Sequence, residues 1–257
     1  SLMQHIHQAL ENGILRLSFN RPERKNAITT AMYEALAQAL DQANSDPAVR
    51  VVLLTGQPGV FTSGNDIQDF LNNPPSDTQS PVFRFLHALS HLEKPLIAVV
   101  DGLAVGVGTT LLLHCDLVYA TPEARFQLPF VNLGLVPEAA SSFLLPKVAG
   151  YQRAAEMLLL GEVFTAEQAL AAGMLNGILP SNQLLEHALG VAHKLAEKPA
   201  QALRLTKQLL KQPYLSQIQQ TMRAEGVQFI RQLSSPEARE AFSAFIEKRK
   251  PDFSKLG

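Results

Sequence analysis

The sequence predicts an α/β domain that binds its ligand at the ends of strands. Strand and helix patterns alternate over the first half of the chain, which is typical of this fold class. Two strands run into glycine-bearing turns, at Gly64 and Gly106, and in α/β domains such strand exits hold ligands. Near residues 181–199 the pattern changes to almost continuous helix. The C-terminal region is therefore expected to have a separate role, as a helical lid or an oligomer interface.

The first half of the chain alternates strands and helices in a regular order. Residues 13–20 alternate apolar and polar side chains, as in a strand, and residues 49–55 form the apolar run of a buried strand. Between them a helix begins near Thr29, with Thr29 and Thr30 as its candidate caps, and ends at Asp46 and Pro47. The elements predicted next are a helical segment over 67–71, a helix over 82–92 and a strand over 96–100.

The second half begins with short extended segments and ends in helices. The extended segments span residues 117–120 and 124–130, and a helix follows over 154–160. Thr165 and Gln168 have the spacing of a capping box at the start of a further helix. The chain is then predicted to end in four helices, over 184–197, 200–211, 214–233 and 236–248.

The composition is that of an ordinary globular protein. The chain has 257 residues, of which 46% are hydrophobic and 18% charged, with a formal net charge of -1. It contains no stripe dense in Lys and Arg, so we expect no nucleic-acid partner. No apolar run reaches the roughly 18 residues of a membrane span. Cys115 is the single cysteine and lies in an apolar run, which predicts an inert thiol in a reducing compartment, and we expect the cytoplasm.

The two glycine-bearing turns have the pattern of a site for an anionic oxygen. The strand over 96–100 turns through Gly106 and Gly108 into a helical segment. The first N–H groups of a helix lack partners within it and lie at the positive end of its dipole. We predict that the N–H groups of Val107 and, at the other turn, Asn65 form an oxyanion hole. Each donor would stabilise a thioester enolate by about 3 kcal/mol at the transition state.

Other chemistries find less support in the sequence. The glycines within residues 106–111 lack the third glycine of a dinucleotide-binding turn. The Gly-x-Ser-x-Gly elbow of a serine hydrolase is absent. His87 and His91 are four residues apart on a predicted helix, but no third metal ligand accompanies them. We therefore expect neither a metal ion nor a redox cofactor.

Six segments resemble the enoyl-CoA hydratase/isomerase (crotonase) superfamily in order and spacing. They are residues 20–27, 61–67, 94–102, 104–108, 115–116 and 170–175. The resemblance implies a crotonase-like spiral of ββα repeats with a core domain over 3–195 and a C-terminal helical trimerisation region over 196–257. It also implies an acyl-CoA thioester substrate, with CoA as part of the substrate, and a homotrimer or a dimer of trimers.

The same resemblance implies which residues contact the ligand. Asn65 and Val107 fall where the family places its two oxyanion-hole amides. Phe130 is expected to contact the acyl substrate. On the residues alone, the basic turn over 21–26 would be a solvated loop. With the resemblance, CoA is expected on two segments, at Arg24, Lys25, Ala27 and Ile28 and at Ser63, Asp66 and Ile67.

Two departures from the family pattern bear on the reaction. Hydratases of this family carry two glutamates that hold and activate water. Thr110 stands where one of them is expected, and Phe130 stands where the other is expected. Neither side chain can take a proton from water at neutral pH. Hydration by the two-carboxylate mechanism is therefore disfavoured.

One carboxylate remains near the predicted site. Glu138 lies in residues 135–142, which are similar to the peroxisomal-type Δ3,Δ2-enoyl-CoA isomerase branch with its catalytic glutamate at this position. An isomerase needs one base, which takes a proton from C2 and returns it to C4. Apolar surroundings would raise the pKa of the carboxyl group to a useful basicity. A simpler interpretation is that Glu138 is an acidic residue in the first turn of a helix after Pro137.

The predicted activity is isomerisation of a 3-enoyl-CoA to the trans-2-enoyl-CoA. A hydratase-like enzyme of other specificity, a thioester hydrolase or a decarboxylase would use the same oxyanion hole. A non-catalytic acyl-CoA-binding protein is a further alternative, because both hydratase glutamates are missing.

Overall fold

The chain folds into two sheets with helices packed around them. The computed structural model describes residues 5–256. Its strands are β1 (Ile6–Glu11), β2 (Ile14–Phe19), β3 (Val51–Thr55), β4 (Val60–Thr62), β5 (Leu96–Val100), β6 (Leu103–Val105), β7 (Leu117–Ala120), β8 (Arg125–Gln127), β9 (Phe164–Thr165) and β10 (Gly177–Ile178).

The helices follow the strands in the first part of the chain and continue without strands after residue 180. They are α1 (Thr30–Ser45), α2 (Ile67–Asn72), α3 (Pro81–Ser90), α4 (Val107–Thr110), α5 (Ser141–Ala149), α6 (Tyr151–Leu160), α7 (Ala166–Ala171), α8 (Ser181–Ala196), α9 (Ala200–Leu233) and α10 (Pro236–Glu247). Short 3-10 helices span Pro22–Arg24, Leu111–His114 and Val131–Leu133.

Successive pairs of strands divide between the two sheets. Strands β3, β5 and β7 belong to the sheet with the order β1-β2-β3-β5-β7-β10, whereas β4, β6 and β8 belong to the sheet β4-β6-β8-β9. The pairs β1–β2 and β8–β9 are antiparallel, and the other neighbours are parallel. Each ββα turn of the chain thus adds one strand to each sheet, which confirms the predicted α/β spiral.

The larger sheet is covered on both faces, which explains why its central strands are apolar throughout. All residues of β3 and β5 are buried. One face contributes to the main core together with α1 and α3, and the other face packs against α8. Phe229 of α9 and Phe242 of α10 also join the main core, so the C-terminal helices fold back onto the sheets.

The two glycine-bearing turns predicted from the sequence are in direct contact. Gly64 has a φ of +91°, and a Cβ atom there would lie 2.8 Å from the Val105 carbonyl oxygen. A Cβ atom on Gly108 would lie 2.8 Å from the Thr62 side chain. Only glycine permits such a close approach of two backbones. The turns after β4 and β6 therefore form one continuous surface.

Short or exposed strands escape prediction from the sequence, among them β6, β4 and β1. Residues 104–108 are predicted as a turn, but β6 occupies Leu103–Val105 because it pairs with β4 on one side and with β8 on the other. Strand β4 is equally short, and so lacks a detectable period. Strand β1 has little alternation, because five of its six residues are exposed. Its signal is Asn12-Gly13, a two-residue hairpin turn with φ of 52° and 83°.

The predicted break between helices over 200–211 and 214–233 is wrong. Helix α9 runs without interruption from Ala200 to Leu233 and includes Pro213. Proline removes the hydrogen bond to the carbonyl four residues earlier, here that of Leu209. Leu209 is 69% exposed, so water can solvate this carbonyl and the helix continues.

The two predicted helix starts with threonine caps are confirmed. The Thr29 side chain accepts the Met32 N–H at the start of α1. Thr165 and Gln168 form a capping box at the start of α7. Across residues 5–256, no helix is both long enough and apolar enough to cross a membrane.

We expect Gly64→Ala to lower the free energy of unfolding by about 1–3 kcal/mol, because alanine is strained at this positive φ. The added methyl group also collides with the Val105 carbonyl oxygen. Gly190→Ala is the matched control, since Gly190 lies in α8 with no atom within 4 Å of the added methyl group. The control should gain up to about 1 kcal/mol from helix propensity. Urea unfolding measures both, and equal effects would contradict the close approach of the turns.

Candidate active site

Asn65 and Val107 occupy equivalent positions after two neighbouring strands. Thr62 of β4 pairs with Ala104 of β6 in parallel register, and each predicted donor comes three residues later. Helix α4 begins at Val107, so no carbonyl of that helix can accept the Val107 N–H. The Asn65 N–H has no backbone acceptor within residues 5–256. The structure thus brings two available N–H donors to adjoining turns.

The backbone around Asn65 is fixed from the opposite side. The Ile28 N–H donates to the Gly64 carbonyl at 2.8 Å, and the Asp66 N–H donates to the Ile28 carbonyl at 3.0 Å. The Tyr33 hydroxyl of α1 donates to the Asn65 side-chain carbonyl. These bonds hold both neighbours and the side chain of Asn65, and leave its N–H for a ligand.

The Glu138 carboxylate lies close to α4. Thr110 Oγ1 donates to Glu138 Oε1 at 2.5 Å, and Thr110 is three residues after Val107 in the same helix. Residues at this spacing are neighbours on one helix face. Glu138 is 6% exposed, and its Oε2 has no hydrogen-bond partner among the described residues. The carboxylate therefore keeps one free acceptor, and the residue that binds its other oxygen lies about one helical turn from Val107.

The simpler interpretation of Glu138 as part of a helix is wrong. Helix α5 begins at Ser141, and its N-cap is Ala140. Glu138 precedes this helix in a turn whose next two residues, Ala139 and Ala140, have φ of 60° and 59°. Non-glycine residues adopt this left-handed conformation rarely, and such strain concentrates at functional sites.

Burial makes Glu138 a stronger base than an ordinary glutamate. Removal from water and the nearby Glu225 carboxylate raise its pKa, the Thr110 hydrogen bond lowers it, and the net result is a pKa of about 8. A pKa near the working pH is the value that favours general acid–base catalysis. The pKa of Tyr33 is also raised, because Tyr33 is buried and faces the negative charges of Glu138 and Asp69.

The two segments predicted to bind CoA are adjacent in the structure. The Ser63 N–H donates to the Lys25 carbonyl at 3.0 Å. Arg24 and Lys25 are exposed, and Ile28 is buried. The remaining predicted contacts, Ala27, Ser63, Asp66 and Ile67, are half-buried.

Asp66 has structural partners of its own. Its carboxylate accepts the Arg21 guanidinium at 2.7 Å and the Asp69 N–H at 2.8 Å, where it caps α2. Burial alone would raise the pKa of Asp66, but these two donors lower it overall. Asp66 therefore stays ionised and fixes the position of α2 beside Asn65.

Thr110 and Phe130, which stand where hydratases of the family carry glutamate, are both buried and uncharged. Thr110 is fully buried, and its hydroxyl is committed to Glu138. Phe130 is 5% exposed and packs in the main core together with Val107.

A cavity of about 1300 Å³ lies elsewhere, as a groove between α1, α3 and α9. Asn65, Val107 and Glu138 are not among its lining residues.

Comparison with known proteins places the chain in a family. A family model described as enoyl-CoA hydratase/isomerase matches residues 9–255. The chain belongs to the enoyl-CoA hydratase/isomerase family.

Members of this family with different activities are similar to the chain. It is 35% identical over 255 residues to 2,3-dehydroadipyl-CoA hydratase of Escherichia coli (strain K12), covering 98% of this chain and 99% of that protein. It is 36% identical over 208 residues to enoyl-CoA delta isomerase 2 of Homo sapiens, covering 78% of this chain and 52% of that protein. The crystal structure of an enoyl-CoA hydratase/isomerase from Pseudoalteromonas atlantica T6c matches with a TM-score of 0.93 and 41% identity, over 97% of this chain and 100% of that chain.

Several groups around the family's site were not predicted as functional. In the sequence, Thr110 is singled out only because it stands where hydratases carry a glutamate. In the structure its hydroxyl donates to Glu138. Tyr33 lies on the buried face of α1 and looks like an ordinary core residue in the sequence. His114 donates from Nε2 to the Ala139 carbonyl at 2.7 Å, and Glu225 is 87 residues from Glu138 along the chain. Only the fold brings these groups together.

The raised pKa of Glu138 predicts a pH-dependent stability. Between pH 4.5 and about 8 the folded chain binds a proton at Glu138 that the unfolded chain has lost, so this residue lowers stability as the pH rises. Relative to the wild type, Glu138→Gln should therefore gain roughly 2–4 kcal/mol in free energy of unfolding between pH 5 and pH 8.5. The exposed Glu186→Gln is the control and should show no such trend. Urea unfolding measures these free energies at each pH. If those of Glu138→Gln and wild type changed with pH in parallel, this would contradict the burial of a titrating carboxylate.

Proposed function

We propose that the chain is a Δ3,Δ2-enoyl-CoA isomerase, which converts a 3-enoyl-CoA into the trans-2-enoyl-CoA. Membership of the enoyl-CoA hydratase/isomerase family supports an acyl-CoA substrate. The observation that supports isomerisation is the Glu138 carboxylate, buried beside α4 with one unpartnered oxygen. It is a single base next to a pair of backbone donors.

The proposed reaction moves one proton between two carbons. The thioester oxygen accepts the N–H groups of Asn65 and Val107. Glu138 takes a proton from C2, and the electron pair of that C–H bond forms a dienolate whose negative charge rests on the thioester oxygen. The protonated Glu138 then delivers the proton to C4, and the double bond is left between C2 and C3. Atoms and charge balance without a metal ion or redox cofactor.

The residues at positions 110 and 130 favour this reaction over hydration. Hydration requires a group that activates water in addition to the group that protonates the substrate. Thr110 already donates its hydroxyl proton to Glu138, and Phe130 has no titratable group. A lone carboxylate can act as base and then as acid in an isomerisation, because the proton that it removes is the proton that it returns.

The remaining contacts proposed here concern CoA and assembly. CoA is proposed to lie along the paired segments over 24–28 and 63–67, where Arg24 and Lys25 offer exposed positive charges to its phosphates. A homotrimer or dimer of trimers in the cytoplasm is proposed from the family resemblance.

We expect Glu138→Gln to lower kcat for isomerisation of 3-hexenoyl-CoA by at least about 10³-fold, since the amide cannot accept the C2 proton. Glutamine matches glutamate in size, so the Kd for the CoA ester should change less than about threefold. Absorbance of the conjugated product measures turnover, and calorimetry measures binding. Glu186→Gln should behave as wild type.

Three results would contradict the proposed function. The first is unchanged isomerisation by Glu138→Gln. The second is a wild-type protein that hydrates 2-hexenoyl-CoA at a high rate but does not isomerise 3-hexenoyl-CoA. The third is binding without turnover of either ester, which would instead indicate a non-catalytic acyl-CoA-binding protein.

A further inference from the structure

The turn that carries Glu138 is strained and therefore needs external support. Ala139 and Ala140 both have positive φ, at 60° and 59°. Such residues keep this conformation only when surrounding contacts determine it. The position of the Glu138 carboxylate follows from the backbone of this turn, so the groups that hold the turn also place the carboxylate.

A carboxylate from α9 supplies most of these contacts. Glu225 Oε1 accepts the Ala140 N–H at 2.7 Å. Glu225 Oε2 accepts the Ser142 N–H at 3.1 Å and the Ser142 hydroxyl at 2.5 Å. Glu225 is 8% exposed, and both of its oxygens bind only this segment among the described partners. Charge-assisted bonds of this kind are stronger than neutral ones.

The other side of the turn is held by neutral groups. His114 Nε2 carries the proton that it donates to the Ala139 carbonyl, because a carbonyl can only accept. Burial lowers the pKa of His114 to about 4, so its ring is uncharged at neutral pH. The Ser141 hydroxyl donates to the Glu138 carbonyl at 2.7 Å. Glu225, whose pKa is raised by burial to about 7, is thus the member of these contacts that carries a charge above that pH.

We propose that Glu225 is a positioning residue that fixes Glu138 in the geometry needed for proton transfer. It acts through the backbone of residues 138–142 and does not touch the reacting atoms. The proposal rests on the proposed role of Glu138 as the base. Helix α9, which is far in sequence from Glu138, thus contributes to the proposed site.

Glu225 also influences Glu138 through its charge. The titratable groups that face Glu138 are Tyr33 from α1 and Glu225 from α9, with Thr110 of α4 as a neutral donor. Glu225 has a pKa raised by burial to about 7, so it carries a negative charge above that pH. A negative charge nearby opposes ionisation of Glu138. Removing it should allow Glu138 to lose its proton at a lower pH.

The experiment compares wild type with Glu225→Gln, Glu225→Asp and Ser142→Ala, and with Glu186→Gln as the control on the exposed face of α8. Glutamate labelled with ¹³C at the side-chain carboxyl allows NMR titration, and Glu138→Gln identifies the Glu138 signal by its loss. kcat for 3-hexenoyl-CoA is measured over the same pH range. Circular dichroism and thermal melting establish that each variant is folded.

Glu225→Gln is expected to titrate Glu138 at a lower pH and to reduce kcat about 10-fold, with KM little changed, because a small displacement of the base slows proton transfer. Glu225→Asp keeps the negative charge. Compared with Glu225→Gln, it should return the titration of Glu138 closer to wild type than it returns kcat. Ser142→Ala removes one hydrogen bond and should reduce kcat by a smaller factor, which keeps the test valid if Glu225→Gln does not fold.

The proposal is overturned if Glu225→Gln and Ser142→Ala both match wild type and Glu186→Gln in titration and kcat. Failure of the proposed function has a different signature. If wild type does not isomerise 3-hexenoyl-CoA, the isomerase assignment fails and the positioning role in proton transfer fails with it, even where the Glu138 titration still moves with the charge of Glu225. If wild type isomerises and Glu225 has no effect, only the positioning role fails.

Discussion

Burial away from water raises the pKa of a carboxylate and so makes it a stronger base. The hydrogen bonds that hold the carboxylate in place must not return its pKa to the ordinary value. Glu138 meets this condition with one oxygen bound to Thr110 and the other unpartnered. A buried polar atom without a partner is uncommon in folded proteins and normally costs stability. Under the proposed function, this local cost in stability is what keeps a base available for proton transfer.

The scaffold supplies the precision that this carboxylate requires. Parallel pairing of β4 with β6 fixes the two glycine turns at the same height, and contact of Gly64 with Val105 leaves no room for either turn to shift. Helix α4 then carries both the Val107 N–H and the Thr110 hydroxyl. One short helix thereby relates the proposed anion site to the proposed base, and a change in the sheet that contains β4 and β6 would alter both.

Local sequence patterns predict the parts of the site that depend on local backbone geometry. The glycine turns identify Asn65 and Val107, because a strand-to-helix turn exposes N–H groups whatever surrounds it. The three-residue strands β4 and β6 have too few residues to show a period, and the uninterrupted α9 depends on solvent access at Pro213. Glu225 cannot be predicted from local pattern, since its partners Ala140 and Ser142 are more than 80 residues away.

The path of the proton tests the one-base mechanism most directly. 3-Hexenoyl-CoA carrying deuterium at both C2 positions would be isomerised in ordinary water, and the product analysed by NMR for deuterium at C4. Because a buried carboxylate exchanges slowly with solvent, we expect a measurable fraction of the removed deuterium at C4 in wild type. A product whose new C4 hydrogen comes entirely from water would contradict transfer by Glu138 alone.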